Sequence, residues 1–101
     1  MKDGIYSIDE LQTCLTPIFQ KYGVKRAVLF GSYGKGTATA NSDIDLMVDS
    51  GLKGLRFVGL LQAIGEALGG KNIDLLDVTH IDKNSRVENE IHKTGVLLYG
   101  E

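Results

Sequence analysis

Leu29-Phe30-Gly31-Ser32-Tyr33-Gly34-Lys35-Gly36-Thr37-Ala38-Thr39-Ala40-Asn41-Ser42-Asp43-Ile44-Asp45-Leu46 decides how this chain folds, because its character changes twice within 18 residues. It begins in the apolar run Ala27-Val28-Leu29-Phe30, whose β-branched and aromatic content next to glycine predicts a short buried strand ending at Gly31. Residues 31–42 are small and polar, with glycine at 31, 34 and 36, which suits a loop holding at most a short helix. Strand character resumes over 44–49. A connection this short cannot hold a standard crossover helix, so the sheet is expected to be mixed rather than wholly parallel.

Working outward, Ser7-Ile8-Asp9-Glu10 reads as a capping box, and Ile8, Leu11, Leu15, Ile18, Phe19 and Tyr22 recur at helical spacing up to Gly23. Pro17 falls inside this stretch, so the helix either kinks there or restarts with Thr16 as a cap. On the other side, Leu55, Val58, Leu61, Ile64 and Leu68 mark the apolar side of a further helix that Gly69-Gly70 stops. Residues 72–78 read as a third strand. Ser85-Arg86-Val87-Glu88 repeats the capping-box pattern and opens a helix carrying Val87 and Ile91 to Thr94-Gly95, and 96–99 form a short last strand. The fold class is α/β: a compact mixed β-sheet with helices, expected as a single domain over 1–101.

Composition excludes several functions. Hydrophobic residues make up 43% and charged residues 24%, far from a disordered chain. Eleven Lys and Arg against 13 Asp and Glu give a net charge of −2, without the basic excess that marks nucleic-acid binding. Cys14 alone forms no intrachain disulfide, no apolar stretch approaches the roughly 20 residues of a membrane span, and Met1-Lys2-Asp3-Gly4 does not begin a secretory leader. A cytoplasmic location, with no membrane partner, is the expectation.

The chemistry concentrates where the decisive stretch re-enters the sheet. Asp43 and Asp45 are two apart at a predicted strand, so both carboxylates project from one face about 7 Å apart, while Ile44 and Leu46 face apolar packing. Adjacent acids repel unless a cation or proton compensates, and magnesium, or manganese in its place, often takes one or two carboxylates together with substrate phosphates. Two such ions roughly 4 Å apart could stabilise the attacking and leaving oxygens of phosphoryl transfer. Asp74, an acid among apolar residues in the next strand, is the third metal and catalytic candidate; Asp77 points to the opposite face. Gly31 and Ser32 follow a strand directly, where glycine admits a ligand to the backbone and a hydroxyl can bond phosphate, and Lys35 can supply a point charge to a triphosphate. Neither common phosphate-loop pattern is present. Cys14 is expected to pack in the first helix, His80 and His92 to be surface or structural residues, and Lys25 and Arg26 to be a solvated strand edge. Tyr33 is left with two roles, stacking on a base or covering the loop.

Gly-Ser, a spacer of ten residues, Asp-x-Asp and a later acid resemble the motif of the nucleotidyltransferase superfamily that includes DNA polymerase beta. Leu29-Phe30-Gly31-Ser32, Ser42-Asp43-Ile44-Asp45-Leu46, Ile73-Asp74-Leu75 and the closing 95–99 are similar to the minimal nucleotidyltransferases of prokaryotes, the MntA-like proteins. Such proteins often carry Ala-Arg where this chain has Gly34-Lys35, which keeps the charge and changes its geometry. The resemblance implies a polymerase-beta-like fold, ATP as donor, Mg²⁺ as metal, and a helical HEPN-type toxin as the protein partner that receives AMP. A homo-oligomer is compatible with it. Two other readings share these residues: a non-catalytic antitoxin that neutralises its partner by contact, and a small-molecule nucleotidyltransferase, for which the chain has no spare segment to enclose an acceptor.

Overall fold

The computed structural model describes residues 5–100. The four residues bearing the leader expectation lie outside them. Helix α1 (Ile8–Tyr22) precedes strand β1 (Arg26–Phe30), the short helix α2 (Gly31–Lys35) and strand β2 (Ile44–Asp49). Helix α3 (Leu55–Ala67), strand β3 (Ile73–Asp77), a 3₁₀ turn (Val78–His80), helix α4 (Arg86–Thr94) and strand β4 (Val96–Gly100) complete the order. The four strands lie in the order β3-β2-β1-β4. β1 runs antiparallel to both β2 and β4, whereas β2 and β3 are parallel, so the sheet is mixed as the short connection after β1 requires.

One sheet face is packed and the other is largely open. Ala27, Leu29, Ile44, Leu46 and Val48 are fully buried against Leu11, Leu15 and Phe19 of α1 and Leu60 and Ile64 of α3. Period-two alternation sends Val28, Asp45, Met47 and Asp74 to the other face. α4 and the 3₁₀ turn cross that second face only in part. They leave a groove of about 570 Å³ with Val28, Met47 and Leu97 from the sheet and Val78, Ile81 and Ile91 among its lining.

Local signals explain most boundaries. The Glu10 amide donates to Ser7 Oγ at 3.0 Å and the Ser7 amide to Glu10 Oε1 at 2.9 Å, a complete capping box. α1 runs unbroken through Pro17, which is exposed on the same side as Thr13, so the carbonyl that loses its amide partner faces solvent. Ile8, in the first turn, is 38% exposed and lies outside the buried stripe. At α4 only half of the expected box forms. The Glu88 amide donates to Ser85 Oγ, but the Glu88 carboxylate accepts from the Asn84 amide at 3.0 Å, one residue upstream of the expected donor.

The apolar side expected for α3 needs correction. Leu55 is 88% and Val58 53% exposed, and the buried positions are Leu60, Ile64 and the cap residue Leu68, with Phe57 packed beside them. The paired leucines 60 and 61 make two helical stripes equally apolar, and contact with α1 selects the one through Leu60. In β4 a bulge opposite Ala27/Val28 pairs Leu97 with Val28 on the open side while Leu98 is buried in the core and Tyr99 meets the Phe19 ring at a tilt, 5.2 Å between centres.

Candidate active site

The strand register assembles the acids. Asp45 is paired across β2 and β3 with Asp74, so the two carboxylates leave the same sheet face side by side. Asp43 immediately precedes β2, where the Ile44 amide donates to the Asn72 carbonyl at 3.0 Å and starts the parallel pairing. Asp43 and Asp74 are exposed and Asp45 is half-buried between them. Burial, then the charges of Asp74 and Asp43, push the Asp45 carboxyl up to about 6; a hydrogen bond shared with Asp74 and the charge of Glu90 act in the same direction. Every charge acting on Asp45 among the described residues raises its carboxyl, so the cluster holds negative charge there.

Gly31 stands where β1 becomes α2 with φ +68°, and a Cβ there would overlap the Asp45 carboxylate. Its missing side chain makes room for the acid, and its amide donates to Thr94 Oγ1 at 3.3 Å. Ser32 is half-buried, and its carbonyl accepts from the Thr37 amide at 3.0 Å, closing the turn after α2. Lys35 is 50% exposed and its Nζ lies 3.1 Å from Glu90 Oε1. Gly34 packs so tightly on the Thr94 carbonyl that a Cβ would overlap it, which accounts for glycine at this place. Tyr33 is 5% exposed and belongs to the core, so of its two roles the structure has it cover the loop; the Lys71 ammonium lies 6.0 Å from its ring centre.

The remaining candidates separate from this cluster. Asp77 is buried on the core side, where its carboxylate accepts from the amide and hydroxyl of both Ser50 and Thr79. Burial raises its pKa, but those four bonds outweigh it and hold the carboxyl below its ordinary value. Arg26 is exposed at the opposite end of β1 from Gly31, paired across the sheet with Asp49. Cys14 is half-buried beside the core, and exposed His80 meets the Phe57 ring edge-on at 5.7 Å. Nothing in the sequence marks Glu90 or Thr94 as a site residue, since only the docking of α4 on α2 brings them to the phosphate turn. No spacing rule connects them to 43–45.

Among the described residues no group of three metal-binding side chains is already drawn around one point. The donors instead suit an ion that keeps phosphate and water oxygens in its shell, as magnesium commonly does. Negative charge at Asp45 and the open positions of Asp43 and Asp74 fit such an ion.

A mixed four-stranded sheet with clustered acids on its open face, beside a Gly-Ser turn, defines a nucleotidyltransferase-type domain. The family model described as Polymerase beta, Nucleotidyltransferase matches residues 14–101, and the chain belongs to that family. The chain is 38% identical over 88 residues to an inferred protein adenylyltransferase of Methanocaldococcus jannaschii, covering 83% of this chain and 94% of that protein. It is 33% identical to the protein adenylyltransferase MntA of Thermococcus cleftensis, covering 72% of this chain and 79% of the relative. A crystal structure of a toxin-antitoxin with AMP-PNP superimposes with a TM-score of 0.72 at 27% identity, over 89% of this chain and 73% of that one.

Proposed function

We propose that this protein is a metal-dependent protein adenylyltransferase that transfers AMP from ATP to a hydroxyl of a helical HEPN-type toxin and thereby acts as its antitoxin. The observation that carries the reading is the register of Asp45 opposite Asp74, with Asp43 two residues before Asp45 and Gly31 against its carboxylate. The names of the two relatives and the AMP-PNP complex support adenylyl transfer over other uses of the fold.

Asp43 and Asp45 would hold Mg²⁺, or Mn²⁺, with Asp74 on the acceptor side. Bound there, the metal supplies charge neutralisation at the triphosphate and at the acceptor oxygen. Gly31 keeps the backbone clear for Asp45, Ser32 offers a hydroxyl to a phosphate oxygen, and Lys35 offers a point charge to the leaving group. The acceptor oxygen attacks the α-phosphorus, the bond to the bridging oxygen breaks and pyrophosphate departs. Exposed Asp74 orients the acceptor hydroxyl and takes its proton. The rate gain comes from positioning and preorganised charge, with no covalent intermediate on the protein.

The acids stand on an open sheet face bordered by a groove, which suits a hydroxyl presented by another macromolecule. The test incubates the protein, the product of the neighbouring gene, ATP and Mg²⁺, and weighs both proteins by intact mass spectrometry. AMP increments on the partner, absent with Asp43→Asn, are the expected result. Neutralisation of the partner without an increment would replace this reading with a contact-only antitoxin.

A further inference from the structure

The last turn of α4 is fastened to the phosphate turn at three points. Thr94 Oγ1 accepts from the Gly31 amide, the Thr94 carbonyl fills the space above Gly34, and Glu90 pairs with Lys35. Thr94 Oγ1 also donates to the Glu90 carbonyl at 2.8 Å, so the pairing acid and the bridging hydroxyl sit on one rigid turn. The charge of Glu90 reaches Asp45 as well. The adenylyl-transfer scheme gives Glu90 no task, yet it sets a further acid within electrostatic reach of Asp45 and occupies the cation that a triphosphate needs.

A carboxylate in this position acts on two forms of nucleotide differently. A free nucleoside triphosphate carries more negative charge than its magnesium complex, so it is repelled more strongly. It also has to draw Lys35 away from Glu90 without a metal to offset that loss. The magnesium complex brings positive charge to the acid cluster, where Glu90 adds attraction.

We propose that Glu90 is a specificity-determining residue that makes the site reject metal-free nucleoside triphosphate, by holding Lys35 and by adding negative charge beside Asp45. It acts through Lys35 and through the local field, as a positioning residue. The inference rests on the reading of this turn as a triphosphate site.

The test measures ATP binding by calorimetry to the full-length chain at low ionic strength, once in EDTA and once with Mg²⁺, for wild type, Glu90→Gln, Lys35→Gln and the double variant. Glu90→Gln should tighten ATP binding in EDTA by about three- to fivefold, the range an exposed ion pair allows, and leave Mg²⁺-ATP binding unchanged or weaker. The gain should shrink at high salt, and when Lys35→Gln is added only the part that comes from the charge beside Asp45 should remain. Glu90→Asp, which keeps the charge, should stay near the wild-type ratio of the two affinities, a ratio that loss of a purely structural contact would not move. A folded Glu90→Gln with wild-type affinity in EDTA, or one that tightens both forms equally, overturns the proposal. A wild-type protein that binds ATP in neither condition overturns the triphosphate reading itself, an outcome distinct from the other two.

Discussion

At the residue scale, Asp45 carries opposing demands. Its carboxyl is pushed up to about 6 by burial and by Asp74 and Asp43, so ionised Asp45 costs stability above that pH, and the cost fades as the pH falls through it. In EDTA at pH 7, Asp45→Asn should therefore stabilise the fold by about 1 kcal/mol, a figure reduced for solvent screening at a half-open site. Melting curves should place the variant about 4–8 °C above wild type, and the wild-type gain between pH 7 and pH 5 should be missing from it. The same substitution, like Asp43→Asn, should abolish adenylyl transfer. Gly31 is the complement of this acid: Gly31→Ala forces a Cβ into the space of the Asp45 carboxylate at φ +68°. Transfer should fall by about 100-fold as the carboxylate is displaced, read as kcat with saturating ATP.

At the element scale, a few polar contacts hold the 3₁₀ turn and α4 against the sheet. Asp77 ties the segment after β2 to the segment after β3 through Ser50 and Thr79. Its carboxyl lies below the ordinary value, so its stabilisation is present above about pH 4 and is lost as the pH falls through the folded-state value. Asp77→Ala should cost about 1–3 kcal/mol near neutral pH by urea denaturation, because the part-buried Ser50 and Thr79 donors lose their acceptor, and the gap to wild type should narrow in acid. Gly34→Ala should push the C-terminal turn of α4 from α2 at about 1–3 kcal/mol, since a Cβ there meets the Thr94 carbonyl. The Ala-Arg often found in similar proteins is thus not exchangeable piecemeal into this chain.

At the scale of the molecule, the sheet divides stability from chemistry. Leu46 and Asp45 are chain neighbours on opposite faces, one fully buried and one beside the acids. Leu46→Ala should cost about 2–5 kcal/mol in denaturation experiments, whereas Asp74→Asn should leave the melting temperature equal to wild type or slightly above it, by relieving Asp45, and remove transfer. Chelation should act like the second substitution: transfer should stop in EDTA and return with Mg²⁺ or Mn²⁺. Equal transfer in both conditions would contradict the metal role of the three acids.

The linear chain by itself determined the alternation of strands and helices, the mixed sheet and the placing of Asp43 and Asp45 on one side, because each depends on a short-range regularity. Period two puts Asp43 and Asp45 on the side away from Ile44 and Leu46, and Ser7 with Glu10 starts α1 through bonds spanning three residues. Tertiary structure alone decided four things: that Asp74 stands opposite Asp45, which stripe of α3 is buried, where the Gly31 amide donates, and that Glu90 pairs with Lys35. The two leucines 60 and 61 are equivalent until α1 is laid against them. Thr94 and Glu90 lie more than fifty residues from the phosphate turn and meet it only when α4 docks on α2. Contacts of that span have no periodic signature, since they are fixed by packing geometry and not by the spacing of residues along the chain.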